Sequence, residues 1–264
     1  MDTSKHIVLV DLSSYIFYRY YAIQRWIALS GKEKDSFSIE QIISQFSRLF
    51  QSNLKDIVKK LKVDWNNVIL ARDCPRKQIW RLASYPDYKK SRDAKTPTFE
   101  PAIFGHAYNE LIPRMIEQHK ISMLQYENAE ADDVIAILHR KLRTTYPTVP
   151  ITILSMDSDF IQLHDKYTNI FTFLLKDLTA PVPIDRIGKY LLWKIIKGDD
   201  SDNIPAIDKR IGPATAWSLA LNDKLLEEKL NSNEVVKKNY ERNSLLINFD
   251  NIPLNIRIAV EQMI

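Results

Sequence analysis

Ten acidic side chains recur singly or in tight groups along the chain: Asp11, Asp73, the run Glu130-Ala131-Asp132-Asp133, the pair Asp157 and Asp159, and the run Asp199-Asp200-Ser201-Asp202. Carboxylates held close together at neutral pH repel one another. Divalent cations, or many hydrogen-bond donors, are the low-cost ways to keep several ionised at once. The pattern predicts a centre built for hard metal ions. Its oxygen donors suit Mg²⁺, with Mn²⁺ as a substitute. Cys74 is the only cysteine and the five histidines show no close ligand spacing, which argues against zinc and against a disulfide framework.

Each acidic group has a bland reading beside the chemical one. An Asp after a strand is often a turn former or helix cap, and a carboxylate in the first turn of a helix is favoured by the helix dipole. In the run at 130–133, Glu130 and Asp133 lie three apart and share a helix face. Asp132 is rotated away from both, so one acid can cap while others face metal. Asp157 and Asp159, two apart in an extended segment, point to one side. The Asp199–Asp202 run resembles a calcium loop only superficially, because no glutamate follows at the required distance.

A second group of residues suits a phosphate polymer. From Arg72 to Lys95 there are eight Lys or Arg against three Asp, interleaved with Trp80, Tyr85 and Tyr88, although the net charge of the whole chain is only +4. A basic, aromatic-bearing stretch beside an acidic cluster fits nucleic acid held against metal ions.

These side chains need elements to position them. His6 to Val10 is an apolar run ending at Asp11, Asn67 to Ala71 ends just before Asp73, and Ile151 to Leu154 ends just before Asp157. Helical stripes lie between them, over Ile39 to Leu61 and Asp132 to Leu142. Continuous apolar strands alternating with helices predict an α/β fold: a central, mainly parallel sheet with helices on both faces. Ligands then bind at the carboxyl ends of the strands, where Asp11, Asp73 and Asp157 fall. Towards the C-terminus, Ile207 to Leu221 predicts a turn between two short helices, with Gly212 and Pro213 opening the second and offering backbone amides to a phosphate. The 264 residues fit one domain with a smaller appendage. A hydrophobic share of 45% places the chain among ordinary globular proteins. With no apolar run of eighteen residues and no signal-peptide layout at the start, the expectation is a cytoplasmic, non-membrane protein.

Five motifs, taken together and in order, resemble the 5′ nuclease family. They are Asp11 after the first strand, Tyr88-Lys89-Lys90-Ser91-Arg92, Glu130-Ala131-Asp132-Asp133, Ser155-Met156-Asp157-Ser158-Asp159, and Gly198-Asp199-Asp200-Ser201-Asp202-Asn203-Ile204-Pro205. That family includes flap endonucleases, the 5′ to 3′ exonuclease domain of bacterial DNA polymerase I, and bacteriophage ribonuclease H. The likeness runs from His6 to beyond Gly212. It is strongest to the phage-type ribonuclease H, through Trp80-Arg81, the Asp159–His164 segment and the tail Leu245–Pro253.

The resemblance implies a PIN-like nuclease core over 1–180 with a cap or arch at about 93–108. It also implies a helical region over 181–264, with a helix-hairpin-helix element at about 198–222. Two metal ions are implied, one on Asp11, Asp73, Glu130 and Asp132, the other on Asp133, Asp157, Asp159, Asp199 and Asp202, with some shared. Asp200 has no counterpart in the family pattern. Lys89 is implied as the cation at the scissile phosphate, with Arg81 and Arg92 assisting and Tyr88 and Lys90 contacting nucleic acid. Lys209, Arg210 and Gly212 are implied to grip the duplex. The family's hairpin often holds a monovalent cation, but Ala206 stands where a glycine is common, which counts against K⁺. The implied activity is 5′-3′ exonuclease or 5′-flap endonuclease action on DNA and RNA–DNA hybrids during primer removal, by a monomer working beside a single-strand-binding protein or sliding clamp. The competing expectations are a PIN-type ribonuclease, which usually lacks the 198–212 region, and a nucleic-acid-binding protein without catalysis.

Overall fold

The structure is a computed structural model that describes residues 6–31, 36–92 and 100–263. Five parallel strands make one sheet: β1 (Ile7–Asp11), β2 (Val68–Ala71), β3 (Ser122–Leu124), β4 (Ile151–Leu154) and β5 (Thr168–Phe171), in the order β3-β2-β1-β4-β5. The chain builds outward from β1 to β3 and then returns to the other side of β1 for β4. The junction of β1 and β4 is therefore the topological switch point, where a crevice opens beyond the strand ends.

Alternation along each strand feeds two cores. Val8, Val10, Val68 and Leu70 face one cluster, completed by α1 (Leu12–Leu29), α2 (Ile39–Leu61) and the helices after residue 100. Ile7, Leu9, Ile69, Ile151 and Ile153 face the other. A sheet covered on both faces explains why β1 up to Asp11 and β2 read as unbroken apolar runs and β4 is broken only by the buried Thr152. Helix α2 starts from a Ser38 capping box with Gln41 and ends at Lys62 in the left-handed region, and Phe46, Phe50 and Leu54 form its buried stripe.

A short helix, α3 (Arg81–Ser84), follows β2. Of the arch expected at 93–108, residues 93–99 lie outside the described residues, and the remainder enters α4 (Pro101–His106) with Pro101 in its first turn. A single π turn, Ala107–Leu111, then leads into α5 (Ile112–His119). Pro113 lacks an N–H and would crowd the carbonyl four residues back, and the wider turn just before it relieves that conflict.

After β3 comes α6 (Ala131–Thr145), which packs on the second core. The C-terminal part consists of α7 (Tyr190–Lys197), α8 (Pro213–Ala220), α9 (Asp223–Asn231), α10 (Glu234–Ile247) and α11 (Leu254–Glu261). Ile196, Ile207, Leu219 and Val236 form their own cluster. Another cluster, with Cys74, Tyr88, Ile195 and Leu246, joins them to the strand ends. Gly212 caps α8 and Pro213 opens it, as the sequence predicts. No helix among the described residues is long and apolar enough to cross a membrane.

Candidate active site

A cleft of about 1000 Å³ opens at the carboxyl ends of β1 and β4. Six of the expected acids line it: Asp11, Asp73, Glu130, Asp132, Asp157 and Asp199. Asp200, which had no expected role, lines it as well and is exposed. Lys89, Arg92, Arg76, Lys194 and Lys197 contribute positive charge to the same walls.

Asp11 ends β1 and caps α1. It accepts from the Ser14 amide at 3.0 Å and from Ser155 Oγ at 2.8 Å. Burial, reinforced by the charges of Asp73 and Asp157, pushes its carboxyl up to about 7. Asp73 accepts from the Ala131 amide at 2.7 Å, so the start of α6 fixes it. Asp132 is half-buried, and burial with the charges of Asp157 and Asp11 pushes it well above the carboxylate range. Asp157 caps the short 3₁₀ helix Ser158–Leu163 through the Asp159 amide at 2.8 Å. Among the described residues, none of these four carboxylates has a cationic side chain within ion-pair distance.

The other acids already have countercharges. Glu130 meets Arg81 Nη1 at 2.9 Å, Lys89 Nζ, and the Tyr88 hydroxyl at 3.0 Å. Burial pushes Glu130 up, but Lys89 and Arg81 outweigh it and hold the carboxyl at about 2. Asp202 meets Arg92 at 2.6 Å and Lys89 at 3.7 Å, and it shares the Tyr88 hydroxyl. Lys194 bridges Asp159 and Asp199, with Asp199 at 2.9 Å. Burial raises Asp199, while Lys194 and Ser201 bring it down to about 2.

Asp133 is where the structure departs most from the metal-ligand expectation. It is fully buried, away from the cleft. Arg81 Nη2 binds Oδ1 at 2.7 Å, while Arg81 Nη1, Trp80 Nε1 and the Glu130 amide crowd Oδ2 at 2.9 to 3.0 Å. With four donors on its two oxygens, its carboxylate is a tether. Arg81 is equally committed: it lies beneath the cleft floor and its Nε binds the Leu246 carbonyl at 2.8 Å. Asp159 also departs from expectation. The chain turns into a 3₁₀ helix at Ser158, so the alternation of an extended segment fails and Asp159 faces Lys194.

Lys89 sits at φ +57°, a left-handed conformation that is costly for lysine. Its amide donates to the Asp202 carbonyl at 2.8 Å, and its own carbonyl accepts from Arg76 Nη2 at 2.7 Å. Burial lowers its ammonium, but Glu130 and Asp202 raise it further, so the group stays protonated. Lys90, by contrast, is exposed and pairs with Asp87 at 2.9 Å. Lys209, Arg210 and Gly212 are exposed and lie apart from the cleft.

Sequence reasoning missed Lys194, Ser155 and Arg76. The signal for Lys194 was available, since a lone charge inside the apolar run Tyr190–Ile196 demands a buried partner.

All these donors are oxygen, four of them lack a countercharge, and the group is crowded enough to drive Asp11 and Asp132 upward. Such a set fits hard divalent cations. No three acids, histidines or cysteines among the described residues close into a ready-made ligand cage; the carboxylates line the cleft walls instead.

Known proteins share both the sequence pattern and the fold. Residues 6–186 match the family described as "5′-3′ exonuclease, N-terminal resolvase-like domain". The chain is 28% identical over 241 residues to ribonuclease H of Enterobacteria phage T4, covering 81% of this chain and 75% of that protein. It is 28% identical over 222 residues to a 5′-3′ exonuclease of Buchnera aphidicola, covering 81% and 69%. The match to DNA polymerase I of Lactococcus lactis subsp. cremoris, 24% identical, covers 93% of this chain but only 27% of that longer protein. Among solved structures, bacteriophage T5 5′-exonuclease with bound zinc shares the fold with a TM-score of 0.68 at 17% identity, covering 98% of both chains. A T5 flap endonuclease in complex with DNA and metal ions gives 0.69 at 17% identity, covering 98% of this chain and 97% of that one. With the family match extending over residues 6–186 and the acids gathered at the switch point of the matching sheet, the chain belongs to the 5′-3′ exonuclease family.

Proposed function

We propose that the chain is a metal-dependent nuclease that hydrolyses phosphodiester bonds at 5′ ends and 5′ flaps of DNA and of RNA–DNA hybrids. One observation carries the reading: the acids divide by countercharge. Asp11, Asp73, Asp132 and Asp157 face the cleft without a cation, while Glu130, Asp133, Asp159, Asp199 and Asp202 are neutralised by Arg81, Lys89, Arg92 and Lys194. The first four would hold one divalent ion. Asp199 and Asp159, which meet across Lys194, would reach a second ion only by exchanging that countercharge for it. Mg²⁺ is the natural occupant and Mn²⁺ its substitute. Such ions supply a nucleophile at neutral pH by acidifying water and offset charge on the phosphate.

The chain's own groups orient and compensate. The Ser14 amide and the Ser155 hydroxyl hold Asp11 by one bond to each oxygen, leaving a lone pair on each, and the Ala131 amide holds Asp73 through one oxygen, leaving the other for the cleft. Lys89 and Arg92, at the cleft wall, supply fixed positive charge to the scissile phosphate, and no reorganisation is needed because their partners already anchor them. Residues 1–180 would then carry most of the cutting centre, completed by Lys194 and Asp199 from 181–264, and 181–264 would also grip the duplex through Lys209, Arg210 and the α8 start at Gly212.

The test is cleavage of an end-labelled 5′-flap duplex with Mg²⁺ or EDTA, using wild type and Asp132→Asn. Metal-dependent release of 5′ fragments by wild type alone is the expected result. A flap left intact while single-stranded RNA is cut would replace this reading with a PIN-type ribonuclease.

A further inference from the structure

The cations in and around the cleft differ in how they are engaged. Arg81, Lys89, Arg92 and Lys194 are each bound to one or two carboxylates, so their charge is shared with partners inside the protein. Lys197 and Arg186 are not; among the described residues neither has a carboxylate within ion-pair distance. Both instead rest on indole rings. Trp193 and Trp217 stack with centroids 5.0 Å apart and planes 15° apart. Lys197 Nζ lies 5.7 Å from the Trp193 centroid, and the Arg186 guanidinium 5.4 Å from that of Trp217.

The rings are themselves fixed. Trp193 Nε1 donates to the Pro213 carbonyl at 3.1 Å, and Tyr190 packs on Trp193 at 5.4 Å, so α7 and α8 hold the stack between them. Tyr190, Trp193 and Lys197 line the cleft, and Trp217 and Arg186, outside its lining, are joined to them through the ring stack. Arg186 also carries a buried Nε with no hydrogen-bond partner, a desolvated donor whose cost an incoming acceptor would relieve.

The geometry decides between two ways such a surface could meet nucleic acid. A stacking platform needs a free ring face. Here Trp217 covers one face of Trp193 while Lys197 and Tyr190 crowd the ring, and Arg186 lies on Trp217. A base would have to displace them, whereas a phosphate oxygen can approach cations that the rings have already pre-positioned. We propose that Lys197 and Arg186, seated on the Trp193–Trp217 stack, bind backbone phosphates of the nucleic acid that the cleft cuts, along a track leading out of the cleft. This rests on the nuclease reading above and adds a contact surface to it.

Salt dependence of binding measures phosphate contacts directly. Affinity of the full chain for a 5′-flap duplex, measured in EDTA over a salt series, is expected to show a log–log slope smaller by about one for Lys197→Gln and again for Arg186→Gln, with Lys197→Arg restoring the wild-type slope. If wild type binds and cuts the flap while both Gln variants keep its slope and affinity, this inference falls and the nuclease reading stands. If wild type neither binds nor cuts, the nuclease reading falls and takes this inference with it.

Discussion

Arg81 and Asp133 form a bidentate pair beneath the cleft floor, with Nη2 to Oδ1 at 2.7 Å and Nη1 to Oδ2 at 2.9 Å, and both side chains are almost wholly removed from water. Two neighbouring aspartates of one motif therefore have opposite duties: Asp133 is anchored by a cation, and Asp132 faces the cleft without one.

Breaking one side of a buried ion pair typically costs about 3–5 kcal/mol, because the remaining charge is left uncompensated. Asp133→Asn is thus expected to lower the melting temperature sharply. Asp132→Asn should leave it unchanged or raised in metal-free buffer while abolishing cleavage. Thermal unfolding in EDTA, set beside flap cleavage in Mg²⁺, checks both. An Asp133→Asn protein of normal stability that has lost only metal affinity would make Asp133 a ligand after all.

Lys89 combines an anchored ammonium with a left-handed backbone. Lys89→Ala should reduce kcat by about 10² or more, in the range seen when a pre-positioned charge stabiliser is removed, with a smaller change in KM. The backbone adds a second signature: Lys89→Gly should be at least as stable as Lys89→Ala, reversing the usual order, because glycine accepts positive φ freely. Steady-state kinetics and melting curves of the two variants separate charge from conformation.

Asp11 is held at about 7 in the folded chain, against an ordinary carboxylate value near 3.8. The folded state therefore binds this proton more tightly than the unfolded chain does. Its contribution to stability is fully present below about 3.8 and is lost as pH rises through about 7. In EDTA the protein should lose stability between about pH 4 and 7, by a few kcal/mol at most, because each tenfold difference in proton affinity is worth about 1.4 kcal/mol. Asp11→Asn should flatten that slope, and Mg²⁺ at about pH 8 should restore stability to wild type. A pH-independent melting temperature in EDTA would contradict the crowding of these acids.

Gly198 lies at φ +76°, and a Cβ built on it would stand 2.3 Å from the Ile204 carbonyl oxygen and 2.6 Å from the Pro205 carbonyl carbon. The paired backbone of Asp199 and Ile204 closes the loop there at 2.7 and 2.8 Å. Gly198→Ala should cost well over about 1 kcal/mol and should shift Asp199 and Asp202 together, reducing cleavage as well as stability. Unfolding and activity measured on the same preparation test the coupling.

The legible parts of the molecule are those in which a local pattern decides the outcome. The runs ending at Asp11, Asp73 and Asp157 marked three strands because burial on both faces leaves no polar alternation to confuse the reading, and the stripe Ile42, Phe46, Phe50, Leu54 marked α2. The edge strands β3 and β5 were not visible. Ser122-Met123-Leu124 is three residues long, and Thr168-Asn169-Ile170-Phe171 alternates buried and exposed positions over too short a span. The rotation of Asp132 away from Glu130 and Asp133 followed from helix spacing alone. Which cation would meet which acid did not, since Arg81 lies 52 residues from Asp133, Lys89 41 from Glu130 and Arg92 110 from Asp202. Pairings of that range are set by tertiary packing, so the division of the acids into cleft-facing and tethered groups could only emerge from the folded chain.

The Arg81 side chain ties two distant stretches to its own: Glu130 and Asp133 at the start of α6, and the Leu246 carbonyl near the end of α10. A ribosome delivers these in order, so a growing chain holds its acidic residues long before the last of these partners emerges. The cleft floor cannot be completed until Leu246 has left the exit tunnel. Assembly of the centre thereby waits on a stretch translated after every one of its acids, and a fragment truncated ahead of that helix would carry all ten acids without the floor that holds them in place.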